Sequence, residues 1–294
     1  MEDSTLNPYY PAWAQFLIAD MAFSAYDKVR IQEASDQGMQ PKLDLLKRVI
    51  EKYTRAADFK TAAWTTHAYF VMGMAVDNFA GELEKLEKLP EIQKLQEKSQ
   101  TQPASQSAGQ PGGQARGQAG MQAGQAGQAG GNDTASLLNA IQMLQKIIEF
   151  REKARLFYQK NIHLSEKNEI QEDTWITRSR ENLTENYWQS GQLYETIYSL
   201  IKEAPVPDVL DEEQVKSYRQ ALLEKALPYQ DQAVEMYAKN TGALTNKIEY
   251  NPYIGQSYQR LAILKPDRYL REEERPLSED RSGMNLPDQL LMRK

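Results

Sequence analysis

The chain has 294 residues, a hydrophobic fraction of 40%, a mean hydropathy of −0.69 and a formal net charge of −6. That length holds one large domain or two ordinary ones, and the low apolar content points to an elongated shape with much surface per unit of core. The absence of cysteine excludes disulfides, thiolate metal sites and cysteine nucleophiles. Lys and Arg interleave with Asp and Glu instead of forming a basic face, so no nucleic-acid partner is expected.

The start, "MEDSTLNPYY", is acidic and has neither the basic nor the apolar region of a Sec signal. No apolar run approaches the roughly 20 residues that span a bilayer. Cysteine-free chains occur in cytoplasm and periplasm alike, so the compartment stays open between cytoplasm and periplasm or cell envelope. An amphipathic stretch, "AWAQFLIADMAFSAYDKVRI", follows almost at once and predicts a first helix over 13–32. Either this helix lies close to a natural start or the chain continues upstream.

A second helix is expected over 43–57, with Leu45, Leu46, Val49, Ile50 and Tyr53 spaced for one face. A third covers 61–89, where Pro90 ends or bends it. Residues 99–133 hold nine of the 16 glycines and almost no apolar bulk, which predicts a disordered Gly/Gln-rich insertion. Asn132, Asp133 and Thr134 then offer caps for a fourth helix reaching 164. A fifth spans 175–202, capped by Asp173 or Thr174, and "APVP" at 204–207 breaks the chain. Asp211 and Gln214 read as a capping box for a sixth helix, which Pro228 kinks or splits. Pro252 opens a seventh, through 264, and 265–294 reads as a disordered polar tail with at most one short helix. No strand is expected. The organisation is thus two helical parts, 9–98 and 134–264, around the insertion.

Parts of this pattern recur. "YFVMGMAVDNF" from Tyr69 returns 118 residues later as "YWQSGQLYETI" from Tyr187. "LLKRVIEKYTRA", "EKARLFYQKN" and "DQAVEMYAKN" each place a small or branched residue four before a tyrosine: Val49 and Tyr53, Ala154 and Tyr158, Ala233 and Tyr237. "WITRSRENL" from Trp175 parallels "YIGQSYQRL" from Tyr253. The three tyrosines lie 105 and 79 residues apart, and removing the insertion brings the first interval to about 70. The insertion therefore reads as one placed at a hairpin tip, where closure entropy grows slowly with length.

On these residues the chain resembles tetratricopeptide repeat proteins, in a divergent form covering 9–264 apart from the insertion. Helix A of that family maps onto Tyr69, Met72, Gly73 and Val76, and again onto Tyr187, Ser190, Gly191 and Tyr194. Helix B maps onto Val49, Tyr53 and Ala56, then Ala154, Tyr158 and Asn161, then Ala233, Tyr237 and Asn240. The resemblance implies an all-α fold: a right-handed superhelical array of antiparallel hairpins in which glycine lets paired helices approach and aromatics fill the seams. The interval from Gly191 to Ala233 exceeds the family's 34-residue unit, which requires extended helices or an extra helical segment. The layout is most similar to the extended arrays of bacterial cell-envelope and gliding-motility scaffolds.

Chemistry-bearing patterns are sparse. The histidines, His67 and His163, stand in no catalytic or metal-ligand constellation, and no phosphate-binding loop is present, so neither catalysis nor a cofactor nor a metal is expected. Acidic pairs such as Glu212-Glu213 sit where helix capping explains them. The resemblance implies a concave groove lined by His67, Phe70, Met74 and Asp77, then Glu185, Trp188, Gln192 and Glu195; Phe70, Met74 and Trp188 are then apolar anchors for a peptide, unless the lengthened helices bury Phe70 and Trp188 as core. The family's clamp for terminal carboxylates needs Lys and Asn there, and neither copy has them. Trp13, Trp64 and Trp175 are expected in inter-helix packing. The leading expectation is a non-catalytic scaffold for a protein or peptide partner. The alternatives are a glycan-binding or carbohydrate-active cell-envelope protein and a self-assembling subunit.

Overall fold

In the computed structural model the described residues are 7–87, 129–167, 171, 173–207, 209–242 and 250–269, with backbone alone at 87 and 129–133. They form eight helices and no strand: α1 Tyr9–Lys28, α2 Asp36–Ala57, α3 Ala62–Glu87, α4 Ala129–Glu166, α5 Thr174–Lys202, α6 Glu212–Gly242, α7 Pro252–Leu264 and α8 Pro266–Tyr269. The all-α expectation holds. Most of the 99–133 insertion and most of the 265–294 tail lie outside the described residues.

Local signals set most boundaries. Asp173 Oδ1 accepts from the backbone N–H groups of Trp175 and Ile176, both at 2.9 Å, and so caps α5. Asp211 and Gln214 exchange the two bonds of a capping box at 3.1 and 2.9 Å. Asn251 caps α7 by accepting from Ile254 N–H at 3.1 Å, with Pro252 at the first position.

Four elements depart from the sequence reading. α1 runs from Tyr9 to Lys28, about one turn earlier at both ends than the 13–32 expected. α2 starts at Asp36, a full two turns early, because Ser35 accepts from Gly38 N–H at 3.1 Å. Pro41 inside its second turn removes a single backbone bond, too little to end it. α4 starts at Ala129, so Asn132, Asp133 and Thr134 lie within its first turns and not at its N-cap position. α6 runs unbroken across Pro228 for 31 residues. The long interval between Gly191 and Ala233 is therefore filled by extended helices and not by an extra segment.

Each helix from α1 to α7 packs on its neighbours in sequence, and α1, α3, α5 and α7 also touch in succession. The helices that bracket residues 88–128, α3 and α4, pack against each other, as two arms of one hairpin do.

The recurrent residues sit in these seams. Tyr53, Tyr158 and Tyr237 are fully buried. The Tyr158 ring covers Gly73 and the Tyr237 ring covers Gly191. In the first pair Phe16 replaces the glycine and meets Tyr53 edge-on at 5.2 Å. A carboxylate stands four residues past each of these positions: Asp20 takes the Tyr53 hydroxyl at 2.5 Å and Asp77 takes that of Tyr158 at 3.4 Å. The Tyr237 hydroxyl lies beside Glu195, which holds Arg260 instead. Burial pushes all three phenols up, so they remain neutral. Tyr187 and Tyr194 are buried as well, while Tyr69 is half-buried beneath Lys160.

A second device links successive hairpins. Asn161 donates to Thr66 O, Trp175 O and Ser179 Oγ at 3.1, 3.3 and 2.8 Å. Asn240 repeats this on Tyr253 O and Ser257 Oγ at 3.2 and 2.8 Å. The capping residues reach back as well: Asp173 accepts from Thr66 Oγ1 at 2.5 Å, and Asn251 donates to Thr184 Oγ1 at 2.7 Å. Thr66 and Thr184 are separated by the same 118 residues as Gly73 and Gly191. At the α1–α2–α3 junction the buried Lys42 ammonium donates to Val29 O and Glu82 at 2.7 and 2.6 Å and lies over the Tyr26 ring.

Candidate interaction surfaces

The eight groove positions are mostly consumed by packing. His67 lies flat on Trp175, centroids 3.6 Å apart, with Phe16 against it at 4.4 Å. Burial lowers its pKa to about 4. Phe70 is buried under Trp175 and Tyr158, Met74 packs on the core, and Trp188 lies on Tyr237 at 5.3 Å. The expected apolar anchors are therefore seam residues: Phe70 has no free face, and Met74 and Trp188 are half-covered. Glu185 is half-buried, and Gln192 alone among the eight is exposed.

Asp77 and Glu195 are held by cations. Asp77 accepts from Arg151 at 3.2 Å and from Asn186 at 2.7 Å. Arg151, 3% exposed, also binds Glu84 at 2.6 Å and Gln189. Arg155 binds Asn186 and Ser190 at 2.9 and 2.6 Å. This web crosses α3, α4 and α5 and holds their mutual register. Burial nonetheless pushes Asp77 up to about 6 against the opposing pull of Arg151. Breaking a buried pair of this kind from one side costs about 3–5 kcal/mol.

Two surfaces remain available. The first is on α1. Between Tyr9 and Tyr26 this helix carries one charge, Asp20. Helices that are apolar all round are covered all round, yet among the described residues α1 packs chiefly on α2 and α3. Its other side exposes Tyr10 at 62%, Trp13 at 44%, Leu17 at 45%, Ile18 at 48% and Met21 at 75%. These residues follow one another at helical spacing. Trp13 is thus a surface residue, against the sequence expectation, whereas Trp64 packs on Phe16 and Trp175 on His67. The signal was present in the sequence: a near-uncharged amphipathic-length helix asks for two covering faces.

The second is a cleft of about 720 Å³ between the C-terminal half of α4, the N-terminal half of α5 and the end of α6. Ile162, Leu183 and Tyr187 make its apolar wall, and Lys160, Arg180 and Lys239 line it as cations. It uses a different face of α5 from the groove positions. The sequence reading passed over it because its residues come from three helices with no shared motif.

Among the described residues no group of three or more His, Cys, Asp or Glu is arranged to hold a metal ion, and no helix is long and apolar enough to cross a membrane. Comparison with protein-family models, with curated proteins and with solved structures finds no match for this chain.

Proposed function

We propose that the chain is a non-catalytic scaffold of the tetratricopeptide-like kind, a right-handed superhelical stack of helix hairpins that docks a protein partner. The succession α1, α3, α5, α7, with α2, α4 and α6 between them, supports the stack. The observation that carries the docking role is the uncovered apolar side of α1. Contiguous apolar stripes of this sort mark protein contacts, and a helix that presents residues at i, i+3, i+4 and i+7 fits an amphipathic helix laid alongside it. With Phe70, Met74 and Trp188 taken up in seams, the concave face contributes polar contacts through Gln192 and Glu185, and the apolar anchor lies on α1. A bacterial multi-protein assembly is the setting that this layout fits.

The test pairs light scattering and cross-linking mass spectrometry with Trp13→Gln, Leu17→Lys and Met21→Lys combined. The reading expects association, with a partner or a second copy, through cross-links that map to α1 and vanish in the variant while the melting curve is unchanged. Association that the variant leaves intact would remove α1 from the role.

A further inference from the structure

We propose that the cleft bounded by α4, α5 and the end of α6 binds an acidic peptide segment that carries an apolar side chain. This goes beyond the α1 surface and shares no residue with it.

Size is the first argument. At about 720 Å³ the cleft falls within the range of clefts that seat ligands, roughly 300–1,000 Å³. Its wall can take an aliphatic or aromatic group: Ile162, Leu183 and Tyr187 form the buried side, and Leu156 stands at the lip 65% exposed. An aliphatic residue left this open beside a concave wall has apolar area to gain from an occupant.

Charge is the second argument. The chain as a whole carries −6, so its general field repels anions. The cleft reverses that sign, with Lys160, Arg180 and Lys239 against a single lining acid, Glu166. Glu166 is spread thin: it lies 4.0 Å from Arg180 and 3.9 Å from His163. Lys160 rests over the Tyr69 ring at 4.6 Å and has no carboxylate partner among the described residues. Lys239 pairs with Glu235 one turn earlier at 2.6 Å, an exposed contact that exchanges for another carboxylate at small cost. A ligand carboxylate therefore finds the two surface ammonium groups of Lys160 and Lys239, next to a wall that rewards an apolar neighbour.

A peptide fits this better than a nucleic acid. A polyanion needs a track of many cations along its backbone, while here three cations line one short apolar wall.

The experiment is selection of displayed random dodecapeptides on the full chain, with counter-selection on a Lys160→Glu/Lys239→Glu variant. Both lysines are exposed, and melting curves of this variant and of Lys160→Gln/Lys239→Gln check that the fold is kept. The expected outcome is enrichment of peptides joining Asp or Glu to Leu, Ile, Met or Phe, binding at least about tenfold more weakly to both variants and to Leu156→Asp. Peptides that bind the variants as well as the parent would overturn the cleft assignment while leaving the scaffold reading standing. Failure to enrich any peptide would overturn it too. So would tighter binding of a thymidine oligonucleotide, lost in the same variants.

Discussion

The ring of Tyr158 on α4 lies directly on Gly73 of α3, so that a Cβ added to the glycine would fall 2.5 Å from the tyrosine Cε1. The hydroxyl at the other end of the ring is held by Asp77 and by Asn182, so the ring has little freedom to retreat. Gly191 and Tyr237 repeat the arrangement. One small residue and one large one thus set the distance between the arms in these two hairpins.

Gly73→Ala gains about 1 kcal/mol of helix propensity but overpacks the seam by about 1–3 kcal/mol, for a net loss. Gly81 lies in the same helix with open space where its Cβ would be. Gly81→Ala is therefore expected to stabilise by up to about 1 kcal/mol. Urea unfolding of the two variants checks the opposite signs; equal effects would separate Gly73 from the seam.

The asparagines that join one hairpin to the next are the second target. Asn161→Ala removes, from a fully buried site, the amide that shares its two hydrogens among Thr66 O, Trp175 O and Ser179 Oγ. A loss of about 2–3 kcal/mol is expected. Asn240→Ala, with two bonds at the corresponding place, is expected to lose somewhat less. Denaturant midpoints measure both, and a near-neutral Asn161→Ala would show that the junction does not depend on it.

Acid stability separates two buried groups of opposite sign. His67 has a native pKa lowered to about 4, so below its unfolded value of about 6.5 the unfolded chain takes up the proton first and stability falls as pH falls toward 4. Asp77 is raised to about 6, so the native form binds its proton more tightly and acidification from 6 toward 3.8 favours folding through this group. His67→Phe keeps a ring between Phe16 and Trp175 and removes the first effect alone. Relative to the parent, the variant should gain stability as pH falls from 6.5 to 4, by the order of 1 kcal/mol once screening by solvent is allowed for. Melting temperatures at pH 7 and pH 4.5 give the comparison; parallel curves would contradict it.

The parts of this fold that were legible in the sequence are those written in local chemistry. The capping residues Asp173 and Asp211, Pro252 at the first position of α7, the recurrence of Gly73 at Gly191 and the parallel of Ser179 with Ser257 all carried their structural meaning in plain sight. Boundaries failed where one residue type permits two outcomes. Pro41 and Pro228 are tolerated inside helices because each removes one backbone bond from elements held by extensive packing. The surface was the least legible. Phe70 and Trp13 exchange roles because exposure depends on which helix lies opposite, and Trp175, more than a hundred residues away, is what covers Phe70.

The proposed stacked order of the helices is tested most directly by a single distance from α1 to α7. Tyr10 on α1 and Ile263 on α7 are both exposed, and the chain has no cysteine, so Tyr10→Cys and Ile263→Cys take spin labels cleanly. Three steps between successive helices at about 8–10 Å each place the two labels roughly 25–30 Å apart. A pulsed electron-resonance distribution centred there is the expected result. One centred below about 20 Å, as in a closed bundle where the first and last helices meet, would contradict the stacked array.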